Sequence, residues 1–399
     1  MRRLLLTLLA LLNLAFLPYP ALARDQVVVS DVAVFYNYGQ EATFQARVQP
    51  AGDVQDIYLF LQPQGMAARV EKAALNQNGE LVYRYDLSKN QLRPFARTVY
   101  WFRMTLKNGQ EFTSPSYWFS YDDNRFEWQT LKDTSFQVFW YGRDMSFGQE
   151  VLNTAQAGLK SARRYLPGEI PEPPLRVFVY SSSADFQQAL QIAGESWMVG
   201  HASPEVGTIL VSIPSGPEAA LELERQVPHE IAHILQYQLT GGDYSRVPTW
   251  FLEGTASLAE IYPNPDYSRV LADAAKNEAL IPMNQLCGAF PREASSAFLA
   301  YAQSASFTRY LHSKYGTSGL QKLLQRYQDG LSCSEGPRSA FNLPFTQLET
   351  TWQQETLGVN HEQIILRNLT PFMVILALLV LIPLLAVAMT RRRIEPQGT

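Results

Sequence analysis

Cysteine and histidine are scarce in this chain. Its 399 residues include only two cysteines and five histidines. Cys287 and Cys333 stand apart, with no CxxC pair, which argues against a sulfur-ligated metal site. Outside the cytoplasm the two can join as a disulfide; the other reading is a pair of buried thiols. Strong charge of either sign is missing too. A net charge of −4 leaves no polybasic field for nucleic acid and demands no cationic partner. No internal repeat or low-complexity tract occurs. At 46% hydrophobic and 18% charged residues, the composition fits a globular protein with real cores, long enough for two domains.

What is present begins with two apolar runs. The first follows Arg2 and Arg3, covers residues 4–17 with only Thr7 and Asn13 interrupting, and ends at Pro18, Pro20 and Ala21-Leu22-Ala23. That is the layout of a secretory signal peptide over residues 1–23, with an uncleaved signal anchor as the alternative. The second, residues 370–390, carries no charge. About 20 residues at ~1.5 Å each cover a ~30 Å hydrocarbon core, so this run reads as a single transmembrane helix. Pro383 is tolerable inside such a helix. Arg391, Arg392 and Arg393 open a tail, residues 391–399, that the positive-inside rule keeps in the cytoplasm. The expected location is therefore the cell membrane, single-pass, with the region between the two runs extracytoplasmic.

Residues 24–122 read as an all-β domain. Segments 27–36, 42–48, 57–61, 81–85, 98–106 and 116–121 are rich in Val, Phe, Tyr and Thr, and several alternate apolar with polar. Pro50-Ala51-Gly52-Asp53, Asn78-Gly79 and Asn108-Gly109 supply turns between them. About six or seven short strands in ~100 residues fit an immunoglobulin- or fibronectin-like sandwich. Asp122-Asp123-Asn124 marks a change to mixed α and β over residues 123–360. Strands are expected at 134–141, 175–180 and 206–213. Helices are expected at 147–165, at 183–192 with Ser183 as cap, and at 216–239 with Pro228 as a kink or boundary. Residues 248–357 read as mainly helical, punctuated by Gly316, Gly330 and Pro344, and ending in a helix with Leu348 and Trp352 at i, i+4 spacing. Residues 361–369 read as a juxtamembrane linker.

His229-Glu230-Ile231-Ala232-His233 is an HExxH pattern. On a helix, residues i and i+4 share one face, so two imidazoles can reach one ion. Glu230 lies beside the first of them, placed to take a proton from water that the metal acidifies. With five histidines, such a pattern arises by chance in roughly one chain in a few hundred. Val227, Ile231, Ile234 and Leu235 give the same helix an apolar back. A third ligand is required, and no further histidine follows at short spacing. Pro248-Thr249-Trp250-Phe251-Leu252-Glu253-Gly254 offers Glu253 on the first turns of a helix, among apolar neighbours. A carboxylate buried there is costly without a cation beside it.

The pair His229–His233 and Trp250-Phe251-Leu252-Glu253-Gly254, with Glu253 20 positions after His233, resembles the gluzincins, which are thermolysin-like zinc peptidases, and among them the bacterial peptidase MA-like domain. The resemblance runs over residues 126–357; only the two metal motifs are specific. It implies an α+β zincin-like catalytic domain, with a small mixed sheet and a mainly helical half. It implies one Zn²⁺ held by His229, His233 and Glu253, with Glu230 as general base. The strand at 207–213 resembles the edge strand that pairs with an extended peptide substrate. A Tyr or His that stabilises the oxyanion is implied as well. Tyr301 is the candidate and His201 the rival. Glu260, two turns after Glu253, is placed to hydrogen-bond a ligand histidine or to face solvent. Aminopeptidases of this clan carry a glycine-and-acid loop that reads the substrate amino group. No such stretch occurs here, which favours an endopeptidase. The function implied is a membrane-anchored, extracytoplasmic zinc metallopeptidase acting on peptide or protein. The alternative is a cell-surface binding module with a structural or degenerate zincin domain. Substrate preference and oligomeric state are not legible.

Overall fold

The computed structural model describes residues 27–394 apart from 171, 173 and 193–199; the expected signal peptide and the last five residues of the tail lie outside the described residues. The chain divides into two compact units, the first running to Glu127 and also taking in the segment that starts at Gln187, the second comprising Trp128–Phe186 and the chain from 198 onward.

The first unit is all β. Its strands are β1 (Val28–Asn37), β2 (Glu41–Gln49), β3 (Val54–Pro63), β4 (Arg69–Ala73), β5 (Glu80–Asp86), β6 (Arg97–Leu106), β7 (Glu111–Thr113) and β8 (Tyr117–Ser120). They form two antiparallel sheets, β1-β2-β5 and β4-β3-β6-β7, with β8 also on β6. Alternation along β2 buries Ala42, Phe44, Ala46 and Val48; along β6 it buries Tyr100, Phe102 and Met104. The two buried faces meet, with the Phe44 and Tyr100 rings 5.2 Å apart. β4 and β7 are absent from the sequence reading. β4 lies at a sheet edge and is charged at Arg69, Glu71 and Lys72, three of its five residues, and β7 is only 3 residues long.

The second unit is built on a five-stranded mixed sheet in the order β12-β13-β11-β10-β9. These are β9 (Gln129–Lys132), β10 (Phe136–Trp140), β11 (Leu175–Tyr180), β12 (Gly200–Ser203) and β13 (Thr208–Ser212). β10, β11 and β13 run parallel, while β9 and β12 are antiparallel edges. Parallel neighbours need a crossover, and α1 (Met145–Ala162) and α2 (Ser183–Ile192) lie in the two connections. Asp144 caps α1 by accepting from the Phe147 amide. For α2 the cap is Ser182 rather than Ser183: Ser182 Oγ accepts from the Asp185 amide, while Ser183 Oγ is paired with Ser212 Oγ.

Helix α3 (Ala219–Thr240) runs through Pro228 without breaking. Helices α4 (Thr249–Ala259), α5 (Asp266–Lys276), α6 (Ala294–Gln328), α7 (Glu335–Phe341) and α8 (Phe345–Leu357) make up the helical half. Gly316 interrupts α6 at φ 65°. Two apolar cores result. One joins β10, β11 and β13 to α1, α3 and Ala256 and Ala259 of α4. The other gathers Trp250, Phe251 and Leu258 of α4 with α6, α7 and α8, including Leu348 and Trp352. Helix α4 thus contributes to both cores. The cysteines are bridged, Cys287 to Cys333, and Trp250 Nε1 donates to Cys333 Sγ at 3.3 Å.

The last helix, α9 (His361–Ile394), takes in the segment expected as a linker, because residues 361–369 contain no Gly or Pro to stop it. Among the described residues, its stretch Ile365–Ala386 is the one helix long and apolar enough to cross a membrane, with mean hydropathy 2.7.

Candidate metal centre

The site grows from two helix faces. Along α3, Val227, Ile231, Ile234 and Leu235 enter the sheet-side core. Positions 226, 229, 230, 233 and 236 fall on the opposite side at the 3.6-residue period. Glu230, His233 and Gln236 are buried there as well. A helix buried on two faces is unusual for a polar run, and each polar group then needs a partner.

Helix α4 supplies that second cover. Gly254 lets it lie against α6. A Cβ at this position would stand 2.5 Å from the Ser304 carbonyl oxygen and 2.0 Å from Thr308 Oγ1. The neighbouring Glu253 is thereby held opposite the two histidines.

His229 Nε2 lies 3.2 Å from Glu253 Oε2, and His233 Nε2 lies 3.7 Å from the same oxygen. Two ligands at ~2.0–2.1 Å from one ion, at a tetrahedral angle, stand about 3.3 Å apart. The spacing therefore fits a single small cation. The side chains are 14%, 11% and 17% exposed for His229, His233 and Glu253, so the donors are neither sealed nor free in solvent. Among the described residues these three form the group able to hold a metal. The outer nitrogens are engaged elsewhere: His229 Nδ1 with Glu260 Oε1 at 3.1 Å, and His233 Nδ1 with Gln236 Oε1 at 2.8 Å. Those partners leave both Nε2 atoms turned toward Glu253. The donor set of two imidazoles and a carboxylate suits a first-row transition-metal dication.

Charge is distributed unevenly in this pocket. Burial pulls the His229 pKa down, but the hydrogen bonds and charges of Glu253 and Glu260 outweigh it, leaving His229 well above the usual imidazole range. His233 also ends above that range, with Glu253 overcoming burial. Burial pushes Glu253 up, yet the His233 charge and the bonds to both histidines hold it far below the usual carboxylate range. Glu230 goes the other way: burial raises it, and the charges of His233, His229 and His201 offset only part. A buried carboxyl raised in this manner is matched to exchanging protons nearer neutrality.

Other expected residues are brought to the same place. The Tyr301 hydroxyl on α6 is held well above its ordinary pKa, first by the Glu253 charge, then by burial, then by Glu230. It therefore stays a hydrogen-bond donor. Its ring meets Phe290 edge-on at 5.1 Å. Glu260 does not face solvent; it is buried at the end of α4, against His229. His201 lies on β12, with Nε2 3.1 Å from Ser203 Oγ.

One expectation is corrected. The strand at 207–213 is not an edge: β13 pairs with β11 on one side and β12 on the other. The edge is β12, four residues with no β-branched member, which hides it from pattern reading. Its Gly200 passes so close to Glu230 that a Cβ would stand 2.4 Å from Oε1 of that residue. Sequence reading also missed Gln236 and Tyr244. The Tyr244 hydroxyl lies 3.3 Å from His233 Nδ1 and 3.5 Å from Gln236 Oε1. A signal for Gln236 was available, since it continues the 229, 233 face by one more step.

Two histidines, a carboxylate and a neighbouring raised glutamate define a hydrolase-type candidate metal centre. Residues 154–358 match the peptidase MA superfamily, and the chain belongs to that superfamily. A search of curated proteins returned no match. Three of the solved structures that match overlap it in part. The Br derivative of BhCBM56 shares 16% identity over 22% of this chain and 88% of that one, at TM-score 0.18. OgpA from Akkermansia muciniphila shares 17% over 24% of this chain and 28% of that one, at 0.21. Purple acid phosphatase PPD1 from yellow lupin (Lupinus luteus) shares 12% over 47% and 35%, at 0.21. Overlap at this level carries no functional inference.

Proposed function

We propose that this protein is a zinc-dependent metallopeptidase of gluzincin type, an endopeptidase anchored in the membrane by α9 with its catalytic unit outside the cytoplasm. The observation that carries the reading is the convergence of His229, His233 and Glu253 beside Glu230, on helices that two separate cores hold in place. One zinc ion held by those three donors would supply Lewis acidity toward a peptide carbonyl and toward water. Glu230 takes the proton of the attacking water and returns it to the leaving amine as the C–N bond breaks. Tyr301 donates to the oxyanion of the tetrahedral intermediate. Tyr244 is a poorer candidate for that task, since its hydroxyl sits at the outer nitrogen of His233. The free side of β12 accepts an extended peptide as an added strand, which brings its backbone past Glu230.

Membership in the peptidase MA superfamily supports hydrolysis of peptide bonds. The Cys287–Cys333 bridge supports an oxidising compartment. The arginines after α9 support a cytoplasmic C-terminus. The sheet pair β1-β2-β5 and β4-β3-β6 supports an immunoglobulin- or fibronectin-like sandwich for the first unit, with a docking or spacing role.

The test is metal content and turnover of the full-length protein in detergent micelles. Near-stoichiometric zinc in the wild type, weak retention in Glu253→Ala, and full zinc with lost peptide cleavage in Glu230→Gln are expected. A folded wild type that takes up no supplied zinc would remove the assignment and leave a binding role in front.

A further inference from the structure

We infer that Gln236 is a positioning residue for the metal centre, a buried amide that fixes the orientation of His233 and ties it to the helix carrying Glu253. The inference rests on the metal-centre reading above and adds to it a residue that touches neither substrate nor cation.

Gln236 is fully buried. A buried amide must satisfy two donors and one acceptor, so its surroundings decide which way it points. At one end Nε2 donates to the Leu252 carbonyl at 2.8 Å and to Thr255 Oγ1 at 2.7 Å. The carbonyl can only accept. Thr255 gives its own proton to the Phe251 carbonyl at 2.7 Å, so its oxygen is free to accept as well. The NH₂ end is therefore determined. The other end is Oε1, an acceptor, and it stands 2.8 Å from His233 Nδ1. That nitrogen must carry the proton, so Nε2, which faces Glu253 at 3.7 Å, is the atom whose lone pair would be offered to a cation. Turning the amide over would set oxygen against the Leu252 carbonyl. The Tyr244 hydroxyl, 3.5 Å from Oε1, closes the same pocket.

Two consequences follow from the chemistry. Leu252 directly precedes Glu253, so one amide sets the register between two donors that lie on different helices. The two histidines are also supported differently. His229 is backed by a carboxylate, Glu260, whereas His233 is backed by a neutral amide. A carboxylate partner raises the basicity of a ligating imidazole more than an amide does. Glu230, Glu253 and Glu260 already bring three carboxylates into this pocket, and Gln236 orients a ring there without adding a fourth.

The experiment compares full-length wild type, Gln236→Met and Gln236→Glu in detergent micelles. Zinc affinity is read by competition with a chromophoric chelator, ligand geometry by the absorption spectrum of the Co²⁺-substituted protein, and stability by thermal melting. Gln236→Met keeps the length and removes the polar atoms. It should weaken zinc binding by about 10–100-fold and alter the Co²⁺ spectrum. Gln236→Glu keeps an acceptor for His233 Nδ1 but loses the two donated bonds. It should melt lower than wild type, as Gln236→Met does, yet recover most of the zinc affinity and the wild-type spectrum. A packing role alone predicts that affinity follows melting, so equal losses in both variants overturn the inference. Wild-type affinity and spectrum in Gln236→Met also overturn it. Should Gln236→Met not fold, Thr255→Val removes one anchor of the amide without touching His233. Several-fold weaker zinc binding is then expected, and unchanged binding refutes the role. A wild type that binds no zinc fails at the earlier step, and the inference falls with the metal-centre reading itself.

Discussion

Replacing Gly254 by alanine sets two effects of opposite sign against each other. Glycine inside a helix is less favourable than alanine by about 0.8–1.0 kcal/mol, so propensity alone makes Gly254→Ala stabilising. The packing of α4 on α6 says otherwise. The new Cβ would stand 2.5 Å from the Ser304 carbonyl oxygen, where ordinary contact begins at 3.4 Å. Side-chain rotation cannot relieve a clash with backbone, so the two helices must part by about 0.9 Å, the difference between those distances. Overpacking of this kind costs typically ~1–3 kcal/mol, and the short contact with Thr308 Oγ1 places the cost at the upper end of that range. The net expectation is a loss of about 1–2 kcal/mol, which at ~2–4 °C per kcal/mol lowers the melting temperature by roughly 2–8 °C. Zinc affinity should fall as well, because Glu253 moves with the helix. Thermal melting of the metal-free full-length protein, followed by chelator competition, measures both. A variant as stable as wild type, or more stable, would show that the close approach of α4 and α6 is not what requires glycine there.

Three further outcomes are expected. Gly200→Ala forces the Glu230 carboxylate aside, so kcat for peptide cleavage should drop by about 10²-fold with zinc content unchanged, as steady-state kinetics and metal analysis would show. The bridge closes a loop with a sequence separation of 46, for which chain entropy gives ~4 kcal/mol; Cys287→Ser with Cys333→Ser should lose much of that in urea unfolding, and added reductant should weaken wild type but not the double variant. Glu293 caps α6, and the hydrogen bond from the Ser295 hydroxyl, then those from the Ser295 and Ser296 amides and the Ser296 hydroxyl, lower its pKa to about 2 from 4.5. A carboxylate whose folded pKa is depressed adds stability that is complete above the unfolded value and vanishes as pH falls through the folded one. Wild type should therefore exceed Glu293→Gln in melting temperature at pH 7, with the gap closing between about pH 4.5 and pH 2.

Much of the site was legible because its chemistry repeats at helical spacing. His229, Glu230 and His233 lie on α3, whose apolar back is visible at Val227, Ile231 and Ile234. Glu253 could be reached because Trp250, Phe251 and Gly254 mark a helix too apolar for a free carboxylate. Long strands with alternating burial, such as β2 and β6, were equally plain. What escaped is tertiary. Strands β4, β7, β9 and β12 are edges or are 3 to 5 residues long, and pairing rather than propensity makes them strands. The role of Gln236 depends on Leu252 and Thr255, which only folding brings to it. The cap of α2 moved by one residue because Ser183 had found a partner 29 positions away.

The double burial of α4 bears on when the protein can act. Ala256 and Ala259 need the sheet-side core, while Trp250, Phe251 and Leu258 need the helical one. Glu253 sits between these contacts. Loss of either core releases that carboxylate from the histidines. On the proposed reading, a chain that has completed only one half therefore would not bring all three donors together. If the proposed activity holds, folding would work as a coincidence gate, because the site is complete only when both halves have closed on the same eleven-residue helix.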